Sequence, residues 1–244
     1  MRWIAINTLR GLERRMWSVA FLAVVTVMSA VPMCTAQAIQ KGISVELAFT
    51  SNAVPAPDAD NEGSLIVTVT DGGSVYFGID PVTPAALAGK IKDRLSPREQ
   101  KLYVKADARV PYADVVKVLD AAHTAGVEAL TLLTTQRESP EPGTVVPPKG
   151  LEVLVGSRPA GSVTVVQVLT SGQQWPALKV NDEQIPWATL QSTLKQLVQN
   201  RSEKVALVKA DGQLPFAQVV HVIDMCRSTG VSVVLVTSKM WRAL

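Results

Sequence analysis

The stretch "VKADARVPYADVVKVLDAAHTAGV" at residues 104–127 returns as "VKADGQLPFAQVVHVIDMCRSTGV" at residues 208–231. At a constant offset of 104, twelve of the 24 aligned positions are identical, among them Lys105, Asp107, Pro111, Val115, Asp120 and Gly126. Most other pairs are conservative, such as Tyr112 with Phe216 and Leu119 with Ile223. A match this long at one large offset marks a duplicated domain and excludes a short-period solenoid. The likeness spreads outward. "PVTPAALAGKIKDRL" (81–95) parallels "QIPWATLQSTLKQLV" (184–198), and "KGISVEL" (41–47) is echoed by "KGLEVLV" (149–155).

Within the first copy, "SLIVTVT", the turn "DGG" and "SVYFGID" (64–80) predict a hairpin, the first arm alternating as a half-buried strand does. Thr83 and Pro84 suit the N-cap and first position of a helix, and Leu87, Ile91 and Leu95 recur every four residues as its buried stripe. "KLYVKAD" reads as a strand, residues 111–126 as a helix opened by Pro111 and closed by Gly126, and "VEALTLLTT" as a buried strand. The second copy repeats the plan, with helices near 186–199 and 215–229. The expected fold is therefore α+β: two tandem β-β-α-β-α-β domains at 64–136 and 151–240. Each is a small mixed sheet with two helices on one face. Residues 39–63 are expected to be a flexible tether and residues 137–150, with four prolines, a Pro-rich linker.

Composition narrows the function classes. A net charge of +3 on 244 residues, with no cluster of Lys and Arg among aromatics, argues against nucleic acid as a partner. Two cysteines, Cys34 and Cys226, give no disulfide framework. Arg2, Arg10, Arg14 and Arg15 precede the apolar run "MWSVAFLAVVTVMSAVPMC" (16–34), after which Ala36 and Ala38 stand as in a cleavage site. Residues 1–38 read either as a signal peptide or as a single transmembrane anchor with its N-terminus in the cytoplasm. Both place the rest of the chain in the periplasm, soluble in the first case and tethered to the inner membrane in the second.

No catalytic constellation is found. Neither a nucleophile elbow nor a phosphate-cradling glycine loop is present, and His123 and His221 have no partners at metal-ligand spacing. No catalytic residue, cofactor or metal is expected. Cys226, among Val219, Val222 and Ile223, predicts a buried inert thiol. Four repeated carboxylates remain. Asp107 and Asp211 end a strand before a helix and read as loop-holding residues, where negative charge suits the helix start. Asp120 and Asp224 fall on the predicted water-facing side of the second helix. All four are candidate partner-contact residues.

An arginine-flanked apolar segment, "QKGISVEL", a Pro/Ala-rich tether, "SVYFGIDPVT" and the K-A-D, P-Y/F and V-V-x-V-L/I-D elements together resemble the ExbD/TolR family of biopolymer transport proteins. The resemblance covers residues 16–136 and again 149–239. It implies a non-enzymatic, exported component of a proton-motive-force-linked envelope transport system. The implied partner is an ExbB/TolQ-like inner-membrane protein or another envelope protein. The duplication would let one chain imitate the dimer the family forms from two. One departure matters: the family's membrane segment carries an aspartate, whereas residues 16–38 here contain no Asp or Glu. A carboxylate in a membrane helix is costly and hence functional, so this chain is not expected to conduct protons by itself. The alternative reading is a stand-alone periplasmic binding module for cell-wall polymer or an extended peptide.

Overall fold

The computed structural model describes residues 42–95, 101–136, 146–156 and 163–237. The apolar segment 1–38, most of the linker and the chain after residue 237 lie outside the described residues. Strands β1 (Val54–Pro55), β2 (Leu65–Val69), β3 (Val75–Phe77) and β4 (Asp80–Pro81) lead into helix α1 (Pro84–Arg94). Strand β5 (Leu102–Ala106), α2 (Tyr112–Thr124), β6 (Ala129–Thr134) and β7 (Lys149–Val155) follow. The second copy supplies β8 (Thr164–Leu169), β9 (Ala177–Val180), β10 (Glu183–Ile185), α3 (Leu190–Val198), β11 (Val205–Ala210), α4 (Phe216–Arg227) and β12 (Ser232–Leu235).

Local signals explain most of these elements. The Thr83 side chain accepts from the Ala86 amide with Pro84 at the helix start, and Leu87 and Ile91 are fully buried. Gly126, at φ +90, follows α2 in the left-handed conformation that lets the chain turn into β6. In both copies the strand–helix–strand crossovers give parallel pairs, β2 with β5 and β5 with β6, then β8 with β11 and β11 with β12.

The strands do not close into two small sheets. They join one mixed sheet in the order β10-β9-β8-β11-β12-β7-β6-β5-β2-β3-β4, with β1 on β7. This corrects the expectation of a separate sheet per copy. The physical reason is the end of the linker. Lys149 and Gly150, read as linker, open β7, which pairs antiparallel with β6 from Ala129↔Leu154 to Thr134↔Lys149 and parallel with β12 at Val234↔Leu154. That one strand satisfies the inner edges of both copies, which would otherwise be open rows of peptide groups. Gly150 is needed there, because a Cβ would meet the Thr131 methyl and, at 2.9 Å, the Leu132 carbonyl oxygen. The outer edges, β4 and β10, are short and carry Asp80, Pro81 and Glu183, which discourage further pairing.

One hydrophobic core runs under all four helices, taking Leu87, Val115, Leu119, Leu194, Val219 and Ile223 together with alternate strand residues such as Val67, Val104, Val166 and Val208. The opposite face of the first copy holds Ile66, Tyr103 and Leu133, covered by Leu47, Ala56 and Ala59. Those covering residues belong to the stretch expected as a tether. Over residues 46–60 it is a docked strap. Just past the end of β6, Thr50 N donates to the Thr135 carbonyl and Thr135 N to that of Ala48, Ala56 N donates to the Pro148 carbonyl, and Pro57–Asp60 form a 3-10 turn. Its small residues make this docking feasible, since Ala48, Ala53 and Ala59 lie close against the sheet and helices.

Candidate functional site

The repeat's most similar residues meet at one seam. Neither α2 nor α4 has a side-chain N-cap, because Pro111 and Pro215 occupy that position. The first amides of a helix are orphan donors, and here each copy's loop caps the other's helix. Tyr112 N donates to the Leu214 carbonyl at 2.8 Å and Ala113 N to that of Gly212 at 2.9 Å. In return Phe216 N donates to the Val110 carbonyl and Ala217 N to that of Ala108, both at 2.9 Å. Shifting each first-copy residue by 104 gives its second-copy equivalent, so the contact is reciprocal as in a two-fold dimer interface. Gly212 fits because a Cβ there would stand 3.0 Å from that of Ala113.

Asp107 and Asp211 brace the loops that make these caps. Asp107 is buried and accepts from the amides of Arg109 and Glu46, each at 3.1 Å, and from the Arg109 guanidinium at 2.9 and 3.1 Å. Arg109 also reaches Asp71 at 3.5 Å and Glu46 at 3.9 Å. The second copy has Gln213 in place of Arg109, and Asp211 takes the Gln213 amide at 3.1 Å and the Thr170 hydroxyl at 2.6 Å. The Arg109 hydrogen bond first, and the two amides after it, hold the Asp107 carboxyl below the usual carboxylate range against the opposing effect of burial. The Thr170 hydroxyl chiefly does the same for Asp211. A depressed folded value means the stabilisation is present above the unfolded value and is lost as pH falls through the folded one. Thermal unfolding between pH 7 and pH 3 should therefore show a loss of stability beginning below about pH 4. That loss should be shallower in Asp107→Asn and shallower still with Asp211→Asn added; an acid limb identical in all three proteins would contradict the assignment.

Asp120 and Asp224 were expected together on a solvent-facing side, and the structure separates them. Asp224 is buried, 3% exposed, because the strap crosses it. Its carboxylate accepts the Ser51 and Asn52 amides, each at 2.9 Å, and the Asn52 side-chain amide at 3.1 Å. It is thus an internal clamp. Asp120 remains partly exposed, its main-chain carbonyl accepts from the Thr124 hydroxyl at 2.7 Å, and its Oδ1 is buried with no hydrogen-bond partner among the described residues. The equivalent positions within the two helices could not have announced this, because the determinant is a strap more than 170 residues from Asp224 in the chain.

Cys226 is fully buried and its thiol is pushed up to about 12 by burial alone, which keeps it protonated and inert. Sequence reasoning missed an aromatic group in the second copy. Trp175, half exposed, meets Trp187 edge-on at 5.5 Å, and His221 stacks on Trp187 at 5.6 Å. The Trp187 indole donates to the Pro176 carbonyl at 2.8 Å, fixing the long hairpin loop. The available signal was two tryptophans in one copy with none at the matching positions of the other. Among the described residues, no three His, Cys, Asp or Glu side chains are grouped to hold a metal ion, and no helix is long and apolar enough to cross a membrane.

Comparison with known families finds one matching model, described as biopolymer transport protein ExbD/TolR, over residues 12–137 and again over residues 135–240. The two matches meet between β6 and β7, where the structure changes from one copy to the other. No curated protein matches the chain.

Proposed function

Because the chain belongs to the ExbD/TolR biopolymer transport family, we propose that it is an exported, tandem member that works in envelope energy transduction by protein–protein contact. Proteins of this family are non-enzymatic transport components that work with ExbB/TolQ-type partners. The reciprocal capping at Tyr112, Ala113, Phe216 and Ala217 carries the tandem part of the reading, since it is the contact two chains of a dimer would make, formed inside one. Residues 1–38 deliver the rest of the chain to the periplasm, as a cleaved signal or as an anchor. With no acidic residue between 16 and 38, the chain contributes its periplasmic body and leaves proton passage to others. Its partner is an ExbB/TolQ-like inner-membrane protein.

The test is cross-linking and co-purification of the full-length protein from its own membranes, with the mass of the complex measured by light scattering. An ExbB/TolQ-type protein should be recovered with one copy of this chain per periplasmic body. An obligate homodimer recovered without such a partner would overturn the reading.

A further inference from the structure

A cavity of about 660 Å³ opens on the sheet face away from the helices, between the 3-10 turn Pro57–Asp60 and the first residues of β2, β5 and β6. Asp58, Gly63, Ser64, Lys101, Tyr103 and Ala129 line it. That volume suits a small solute. Three of these residues are small, and a Cβ on Gly63 would meet nothing within 4 Å. Tyr103 distinguishes the cavity from a surface dent. Its ring packs with Ala59, Ile66 and Leu133 and the residue is 3% exposed, yet it lines the cavity, and its hydroxyl has no hydrogen-bond partner among the described residues. A tyrosine buried to this degree normally finds a partner for its hydroxyl. Burial first, and the Asp58 charge after it, raise the phenol above its usual range, so it stays a neutral O–H able to donate and accept. The second copy shows that the fold does not require it. At the offset of 104, Tyr103 and Lys101 correspond to Leu207 and Val205, which hold the same strand positions without a polar side-chain atom. The phenol and the ammonium are additions at positions that apolar residues can serve, and both line the one cavity.

The charges define the ligand. Asp58 belongs to the 3-10 turn and Lys101 stands at the start of β5, and neither side chain makes an ion pair among the described residues. We propose that the cavity binds a free zwitterion of dipeptide size, its ammonium against Asp58, its carboxylate against Lys101 and its peptide group against the Tyr103 hydroxyl. The terminus of a larger protein would bring only one of the two charges. A metal ion is a poorer match, since Lys101 opposes a cation and no three His, Cys, Asp or Glu side chains are grouped among the described residues. This site is separate from the partner contact proposed above, and its failure would leave that reading intact.

The test is calorimetric titration of the dipeptide Ala-Ala into the full-length protein in detergent. Saturable binding with a Kd of about 1 mM or tighter is expected. Tyr103→Phe, which keeps the ring, should weaken it about fivefold, the effect of one lost hydrogen bond. Asp58→Asn and Lys101→Gln should each weaken it about tenfold or more. Ala129→Phe, at an exposed position, should fill the cavity and abolish binding. N-acetyl-Ala-Ala and Ala-Ala amide carry one charge each and should bind the unaltered protein about tenfold more weakly, a control independent of whether a variant folds. An absence of saturable binding would overturn the proposal. So would equal affinity for the blocked peptides, or an affinity unchanged in both Tyr103→Phe and Ala129→Phe, which would put the dipeptide elsewhere on the protein.

Discussion

Asp224→Ala should be the most damaging single truncation on the seam, lowering stability by about 3 kcal/mol or more, whereas Asp120→Ala should leave stability unchanged or raise it by about 1 kcal/mol. The residues are the same type at equivalent positions. Their surroundings differ. Removing the Asp224 carboxylate strands the Ser51 and Asn52 amides and the Asn52 side chain in a site that is 3% exposed. A hydrogen bond to a charged group contributes about 1.5–3 kcal/mol, and the donors left behind add their own desolvation cost. For a domain of this size such a loss is roughly 6–12 °C in Tm, at about 2–4 °C per kcal/mol. Removing Asp120 strands no donor among the described residues, where its Oδ1 has no hydrogen-bond partner. Urea unfolding measures both, and limited proteolysis should show cleavage within residues 48–60 in Asp224→Ala only. Equal losses in the two variants would mean the strap contributes little and the clamp is misassigned.

A fragment ending at residue 136 should not fold to a stable monomer. Cutting there removes β7 from the edge of β6, exposing the row that runs from Ala129 to Thr134. It also removes the caps that Leu214 and Gly212 provide for α2, the clamp on Ser51 and Asn52, and the second-copy side of a continuous core. Lost helix caps alone cost about 1 kcal/mol each. A small domain has a total stability of only about 5–15 kcal/mol, and the bare apolar edge invites pairing with other chains. Light scattering on the fragment should find dimers or larger aggregates, or circular dichroism an unfolded chain. A monodisperse monomer with a cooperative unfolding transition would show the copies to be independent after all.

Sequence and structure agree where the controlling forces are local. Thr83 caps α1, Gly126 turns the chain after α2, and the apolar spacing of Val115, Val118, Leu119 and Ala122 gives the buried face. They part where the outcome depends on residues far apart in the chain. Proline and alanine in the strap signal flexibility to a compositional reading, yet small side chains also fit closely, and Asp224 lies more than 170 residues from the amides it holds. The prolines before α2 and α4 show only that a side-chain cap is missing. The carbonyls that replace it come from the other copy.

The sequence by itself determined the duplicated unit, the order of strands and helices within it and the family to which it belongs. These follow from periodicity, turn chemistry and a repeat that can be counted. Only the tertiary structure decided that β7 joins both copies in one sheet, that each copy caps the other, and that two equivalent aspartates have different surroundings. The reason is physical: a strand edge, an orphan amide or a buried carboxylate must be satisfied by something, and folding brings that partner from elsewhere in the chain.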